Sequence, residues 1–247
     1  VSKLAGVMDI PKNCEVGNTI FKKLFLENAK LSKADKDIFT KNIDKIKWDY
    51  SLKTDNINIK PYKDDNKEYS EIEFITVKQR STGKTKRIAE IIMRTIPYPL
   101  FLTFEKSNEI RLFTSHLRIN QADTSKNTID EFIYTDWIDL DNLDENDIAL
   151  FEDLKLKNLN FTNFFTFYNC LIETIIRYNI SKISDISSDL EVYELKDIYD
   201  EINNINNRIE VIKGKIKKET QFKRVVEMNI QIKSLKEEKE RLRGRLG

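Results

Sequence analysis

The chain has 247 residues, 42 of them Lys or Arg and 41 Asp or Glu, so its formal charge of +1 neither draws the whole molecule to polyanions nor repels it from them. That length supports one substantial core with an appendage, and no apolar run is long enough for a membrane span or a signal segment, which leads us to expect a cytoplasmic protein. Cys14 and Cys170 are too few and too far apart for a disulfide framework or a thiolate metal site, as in a reducing compartment.

Residues 1–13 read as a tether, followed by an amphipathic helix over Asn18–Asn28 with Ile20, Leu24 and Phe25. Ser32 and Asp35 have the spacing of a capping box, and Ile38, Phe39, Ile43, Ile46 and Tyr50 continue at helical intervals, which predicts a helix reaching about Trp48. Thr54-Asp55-Asn56 then ends it and opens a strand at Ile57–Ile59. Glu71–Lys78 alternates as a strand with one covered face, and Ser81-Thr82-Gly83-Lys84 turns the chain into a helix over Thr85–Thr95, stopped by Pro97 and Pro99. Leu100–Glu105 and Ile110–Ile119 form a hairpin with a four-residue loop, and residues 129–140 return as extended chain around Phe132, Tyr134 and Trp137. Phe161–Tyr178 reads as a helix, and Ser181–Asp189 as a linker. The fold class is therefore α+β: a small mixed α/β sandwich over residues 1–180, a linker at 181–189, and a long C-terminal helix or coiled coil over 190–247.

In that last region Ile198, Ile202, Ile205, Ile209, Ile212 and Ile216 follow a 4-3-4-3-4 spacing, which is a coiled-coil seam. A second series, Val225, Met228, Ile232, Leu235, Leu242 and Leu246, keeps the rhythm with Lys239 in the seam, but its phase is displaced by two residues. Lys217-Lys218-Glu219-Thr220-Gln221 between them holds no Gly or Pro, so the reading favours a continuous rod over a hairpin. A bare seam is an apolar liability, which makes this an assembly element for a homodimer or a larger complex.

Three constellations bear on chemistry. Gly83-Lys84-Thr85 is the tail of a phosphate-binding loop, but the glycine that should stand five residues before the Gly-Lys pair is Lys78, so a plain turn is the better reading. His116 is the only histidine and excludes two-histidine zinc chemistry within one subunit. Asp55, Glu71, Glu73 and Lys78 flank the early strands, where a metal-dependent nuclease would keep its carboxylates and lysine, and Mg²⁺ enters only under that alternative. The spacing from Glu73 to Lys78 is too long for the compact carboxylate, any residue, lysine pattern.

Charge is unevenly distributed. Residues 123–155 carry eleven acidic side chains against Lys126 and Lys155, whereas 78–94 carry Lys78, Arg80, Lys84, Lys86, Arg87 and Arg94 against Glu90 alone, a candidate non-specific DNA-binding face.

The segments Asp9-Ile10-Pro11-Lys12, Ile46-Lys47-Trp48-Asp49-Tyr50, Glu90-Ile91-Ile92, Thr95-Ile96-Pro97-Tyr98-Pro99-Leu100-Phe101, Thr135-Asp136-Trp137-Ile138 and Lys218–Arg224 on to Asn229 together resemble the prokaryotic family catalogued as domain of unknown function 4391. The resemblance covers nearly the whole chain and brings no catalytic residues with it. It implies a companion of helicases and DNA methyltransferases in restriction or phage-defence loci. The expectation is a non-catalytic accessory or adaptor subunit without cofactor or metal, with a divergent nuclease and a DNA-binding module as alternatives.

Overall fold

The computed structural model describes residues 3–29, 31–119, 127–184 and 190–246. The chain divides into two compact units, 1–175 and 176–247.

The first unit begins with a helical turn, α1 (Ala5–Met8), then β1 (Glu15–Ile20), α2 (Lys22–Asn28), α3 (Lys33–Asn42), β2 (Ile43–Lys53) and a second helical turn, α4 (Thr54–Ile57). A short ribbon, β3 (Tyr62–Lys63) with β4 (Glu68–Tyr69), precedes β5 (Glu71–Gln79), α5 (Thr85–Thr95), β6 (Leu100–Lys106) and β7 (Glu109–Thr114). Beyond them lie a ribbon of β8 (Leu117–Ile119) and β9 (Asn127–Ile129), then β10 (Ile133–Tyr134), β11 (Ile138–Asp139), α6 (Glu145–Asp153) and α7 (Phe164–Ser181). The main sheet runs β1-β2-β5-β6-β7-β10, with β11 also on β7. Every pair is antiparallel except β5 with β6, whose parallel alignment needs the α5 crossover between them.

One sheet face meets α2, α3 and α5 in a core that includes Phe25, Phe39, Ile46, Ile75, Val77, Ile88, Ile92, Leu102 and Phe104. On the other face the Tyr168 hydroxyl of α7 donates to the Leu100 carbonyl at 2.6 Å and accepts from Ser115 N at 3.3 Å. Leu4 and Met8 close over Phe74 and Thr76 there. β5 is therefore buried on both faces, not one. Residues 3–10 are not a tether either, since Leu4, Met8 and Ile10 are core residues.

The helix entry at Ser32 is as expected: Asp35 N donates to Ser32 Oγ at 3.1 Å and Ser32 N to the Asp35 carboxylate at 3.3 Å. Its exit is not. α3 stops at Asn42, and Ile43 to Lys53 is strand, because register shifts at Ile43/Lys45 and Trp48/Tyr50 each insert a residue. Two bulges stretch the period of two toward three or four, so a strand took on helical spacing. Asn18–Ile20 likewise belongs to β1, where Gly17 takes a φ of 69° at the register shift between Glu15 and Asn18. Thr54–Ile57 is a helical turn, not the opening of a strand.

α5 spans Thr85–Thr95 as predicted. The β6–β7 hairpin turns through Ser107 and Asn108 alone, with Ser107 at φ 50°, and β7 ends at Thr114 so that Leu117–Ile119 joins the separate ribbon. Residues 129–140 are three short strands, and α7 starts at Phe164, not Phe161. Of the expected linker, residues 185–189 lie outside the described residues.

In the second unit α8 (Val192–Ile216) and α9 (Phe222–Arg243) pack on each other as an antiparallel hairpin, which corrects the continuous rod. Glu219 makes the turn that no Gly or Pro announced. Its carboxylate accepts from Thr220 N and Gln221 N, both at 2.9 Å, and these amides hold the carboxyl below its ordinary value. Arg243 at the far end of α9 donates to the Ile183 carbonyl at 2.8 Å, and Lys239 to Asn206 at 3.3 Å.

Candidate functional site

The hairpin alters the assembly argument. Ile198, Ile202, Ile205 and Ile209 of α8 are buried, as are Ile232, Leu235, Leu242 and Leu246, while Ile212, Ile216, Val225 and Met228 near the turn are half-buried. Each helix supplies its own seam and the two face each other. The displacement of two residues between the series is then no defect, because antiparallel partners need no common phase. Much of the apolar stripe that called for an external partner is covered inside the chain.

Covering the seam leaves a different row outside. On α9, Phe222, Val226 and Ile230 follow one another at four-residue intervals and are 82%, 39% and 62% exposed, and Val211 on α8 is 59% exposed. Helix packing buries only one side of each helix, so this second row has no cover within the hairpin. Lys215, Lys217, Lys218 and Lys223 surround the turn, and among the described residues none has a carboxylate in ion-pair range, whereas Arg224 reaches Glu219 at 3.6 Å and Lys213 reaches Glu210 at 2.7 Å. A shallow concavity beside the turn is lined by Lys215, Lys218, Glu219, Arg224, Glu227, Met228 and Gln231. Sequence reasoning missed Phe222, Val226 and Ile230. Their i, i+4, i+8 spacing was legible, but only the orientation of α9 tells an outer row from a seam.

The carboxylates of the nuclease alternative are used structurally. Glu73 is buried on β5, accepting from Trp48 Nε1 at 2.6 Å and from Ser51 Oγ at 2.9 Å, and burial pushes its carboxyl up to about 7 against the pull of these donors. Glu71 pairs with Lys53 at 3.1 Å, and Asp55 is exposed on α4. Lys78 is five residues from Glu73 along an unbroken register, so it lies about 16 Å away on the opposite face, where it approaches Glu105 at 3.9 Å. The structure thus separates the lysine from the carboxylates it was grouped with. Among the described residues no three His, Cys, Asp or Glu side chains are gathered to hold a metal ion.

Asp49, which sequence reasoning also passed over, sits at the Trp48/Tyr50 bulge with both oxygens buried and without a hydrogen bond. Its compensation is the Lys47 ammonium at 3.3 Å, and it borders a cavity of about 10 Å³ with Thr76 and Thr103. That space is the size of one water molecule.

The basic segment is largely engaged as well. Arg87 donates twice to Asp35, from Nε at 2.8 Å and Nη2 at 2.9 Å, and once to Glu90 at 2.8 Å, which holds the Asp35 carboxyl far below its usual range. Arg94 takes the second Glu90 oxygen at 3.0 Å, Arg80 pairs with Asp44 at 3.4 Å, and Lys86 lies over the Tyr134 ring at 5.4 Å. Lys84, at the α5 entry with φ 66°, and Lys86 are the members without a carboxylate partner among the described residues. In the Gly83-Lys84-Thr85 turn the Thr85 hydroxyl is committed to Gln79 and the Thr82 carbonyl, both at 2.9 Å, so it is a structural turn.

His116 lies beyond the end of β7, bonded to the Tyr69 hydroxyl at 2.8 Å and Asn169 at 3.2 Å, and burial lowers its pKa to about 4. A neutral, fully engaged ring is a packing element.

The family model described as Domain of unknown function (DUF4391) matches residues 8–238, all but the ends of the chain. The chain belongs to the DUF4391 family. No curated protein and no solved structure matches this DUF4391 chain. Among its described residues no helix is long and apolar enough to cross a membrane.

Proposed function

We propose that this DUF4391 protein is a non-catalytic accessory subunit of a DNA-directed restriction or anti-phage complex, and that the α8–α9 hairpin is the element by which it docks. The observation that carries the reading is the uncovered Phe222, Val226 and Ile230 row, on a hairpin whose own seam is already closed. An exposed apolar row of this kind marks an interaction site. The body favours an adaptor over an enzyme in that three of its buried ionisable groups are spent on internal bonds: Glu73 on Trp48 and Ser51, His116 on Tyr69 and Asn169, Asp35 on Arg87. The company of helicases and methyltransferases that the family resemblance implies suggests the kind of complex, as an association rather than a mechanism.

The test is affinity purification of the full chain from its native host, beside a Phe222→Asp, Ile230→Asp double variant. Both positions are exposed, so the hairpin should fold in the variant. A helicase or DNA methyltransferase subunit should accompany the parent and be lost from the variant. Failure of the parent to retain any such subunit, or equal retention by both proteins, defeats the reading.

A further inference from the structure

α8 carries a second stripe beside its isoleucine seam. Asn204, Arg208, Val211, Lys215 and Lys218 repeat at the seam's own 4-3-4-3 spacing, and all five are exposed. Because it keeps the period of the seam, the stripe runs straight along the hairpin for about 21 Å instead of winding round it. Two shallow concavities follow one another on this flank. Asn204, Asn207, Arg208, Val211 and Ile212 line the first. The second is shared with α9, where Arg224, Glu227, Met228 and Gln231 join Lys215, Lys218 and Glu219 around it. Arg224, Glu227 and Gln231 stand at i, i+3 and i+7, on a different side of α9 from the Phe222, Val226 and Ile230 row.

Charge on this flank is one-sided. From Ile202 to Lys218 there are five Lys or Arg residues and a single acid, Glu210, which lies off the stripe and pairs with Lys213 at 2.7 Å. Among the described residues Arg208, Lys215 and Lys218 have no carboxylate in ion-pair range. Of the two acids at the turn end, Glu219 is spent on the Thr220 and Gln221 amides and on Arg224, which leaves Glu227 to oppose the cations. Helix stability does not account for the arrangement. Lys215 complements the macrodipole at the end of α8, but Arg208 stands more than two turns earlier, and Lys223 and Arg224 occupy the first turn of α9, where positive charge is unfavourable.

A straight row of long cations interspersed with the amide donors Asn204, Asn207 and Gln231 fits a polyanion of regular charge spacing. A bilayer surface would call for apolar anchors on the same side, and the exposed Phe222 row points elsewhere. We propose that this flank of the hairpin binds the phosphate backbone of nucleic acid, with Arg208, Lys215, Lys218 and Arg224 as the cations. A duplex carries one negative charge per about 1.7 Å of axis, so the stripe meets phosphates in any register and the contact reads no sequence. The contact uses a side of the hairpin that the Phe222 row does not, and so stands whichever protein that row takes.

The test is fluorescence anisotropy of a labelled duplex DNA of about 25 base pairs with the full chain, over about 50 to 200 mM salt. The expected result is micromolar binding at the low end that weakens about 100-fold or more across this range, since four neutralised phosphates give a log-log salt slope of about −3.6. An Arg208→Gln, Lys215→Gln, Lys218→Gln variant keeps good helix formers at exposed positions and should bind about tenfold or more weakly at about 50 mM salt, with a slope near −0.9. A charge-matched control, Lys233→Gln, Lys236→Gln, Arg241→Gln, removes three exposed cations of α9 away from this flank and should leave the slope as in the parent. Circular dichroism checks that the helices persist; if the triple variant loses them, Lys215→Gln alone should still reduce the slope by about 0.9. Absence of duplex binding by the parent overturns the proposal, as does an equal loss in the control, which would mean that net charge alone is at work. Binding of the parent to vesicles of phosphatidylcholine and phosphatidylserine at about 2:1, lost in the flank variant while the duplex is not bound, overturns it in favour of an anionic lipid surface.

Discussion

Replacing Glu73 by Gln should change how the stability of this protein depends on pH. The carboxyl is buried between Trp48 and Ser51, and its pKa of about 7 stands well above the ordinary 4.5. Between these values the folded chain holds a proton that the unfolded chain has released. The contribution of Glu73 is therefore fully present below pH 4.5 and is lost as pH rises to about 7, after which both states are ionised. The displacement corresponds to about 3 kcal/mol at about 1.4 kcal/mol per decade. Glu73→Gln removes the ionisation while its amide oxygen still accepts a hydrogen bond, so the stability of the variant relative to the parent should climb by about 3 kcal/mol from pH 4 to pH 8. Urea unfolding followed by tryptophan fluorescence provides the assay, since Trp48 donates directly to this carboxylate. Parallel stability curves for the two proteins would refute the argument. A parent that gains on the variant with rising pH would show that the Trp48 and Ser51 donors outweigh burial and favour the ionised form.

The Asp35 carboxylate serves both the capping box of α3 and the Arg87 fork, so Asp35→Asn should cost about 1 to 3 kcal/mol in denaturant unfolding at pH 7. Because its folded pKa lies below the unfolded value of 3.8, the advantage of Asp35 over Asn should vanish as pH falls below that value. For His116 the ring resonances in an NMR titration should move with a midpoint near 4, and a midpoint near 6.5 would contradict its burial against Tyr69 and Asn169. Acidification from 6.5 toward 4 should destabilise the fold through this residue, because the unfolded chain takes up the proton first. With four of its six basic residues held by carboxylates, the 78–94 segment should bind DNA poorly: Lys84→Glu with Lys86→Glu should change duplex affinity less than about tenfold in fluorescence anisotropy at about 50 mM salt, and a greater loss would reinstate the segment as a nucleic-acid contact.

Where local chemistry decides local structure, the sequence by itself was sufficient. The capping box at Ser32 and Asp35 needs only residues three apart, and α5 is bounded by its own turn and prolines. The isoleucine seam could be read because a helix projects its faces at a fixed period. Tertiary structure decided the rest. β2 looked helical because two bulges against β5 add residues to it, and no property of residues 43–53 taken alone reveals what they pair with. The hairpin was hidden because its turn is made by the Glu219 carboxylate folding back on two amides, a device with no compositional mark. The nuclease grouping did not assemble because closeness in sequence along a strand is not closeness on a face: the odd interval from Glu73 to Lys78 sends their side chains to opposite sides. The candidate interface emerged only from which side of α9 the seam occupies, since burial of Ile232 and Leu235 is what leaves Phe222, Val226 and Ile230 to face outward.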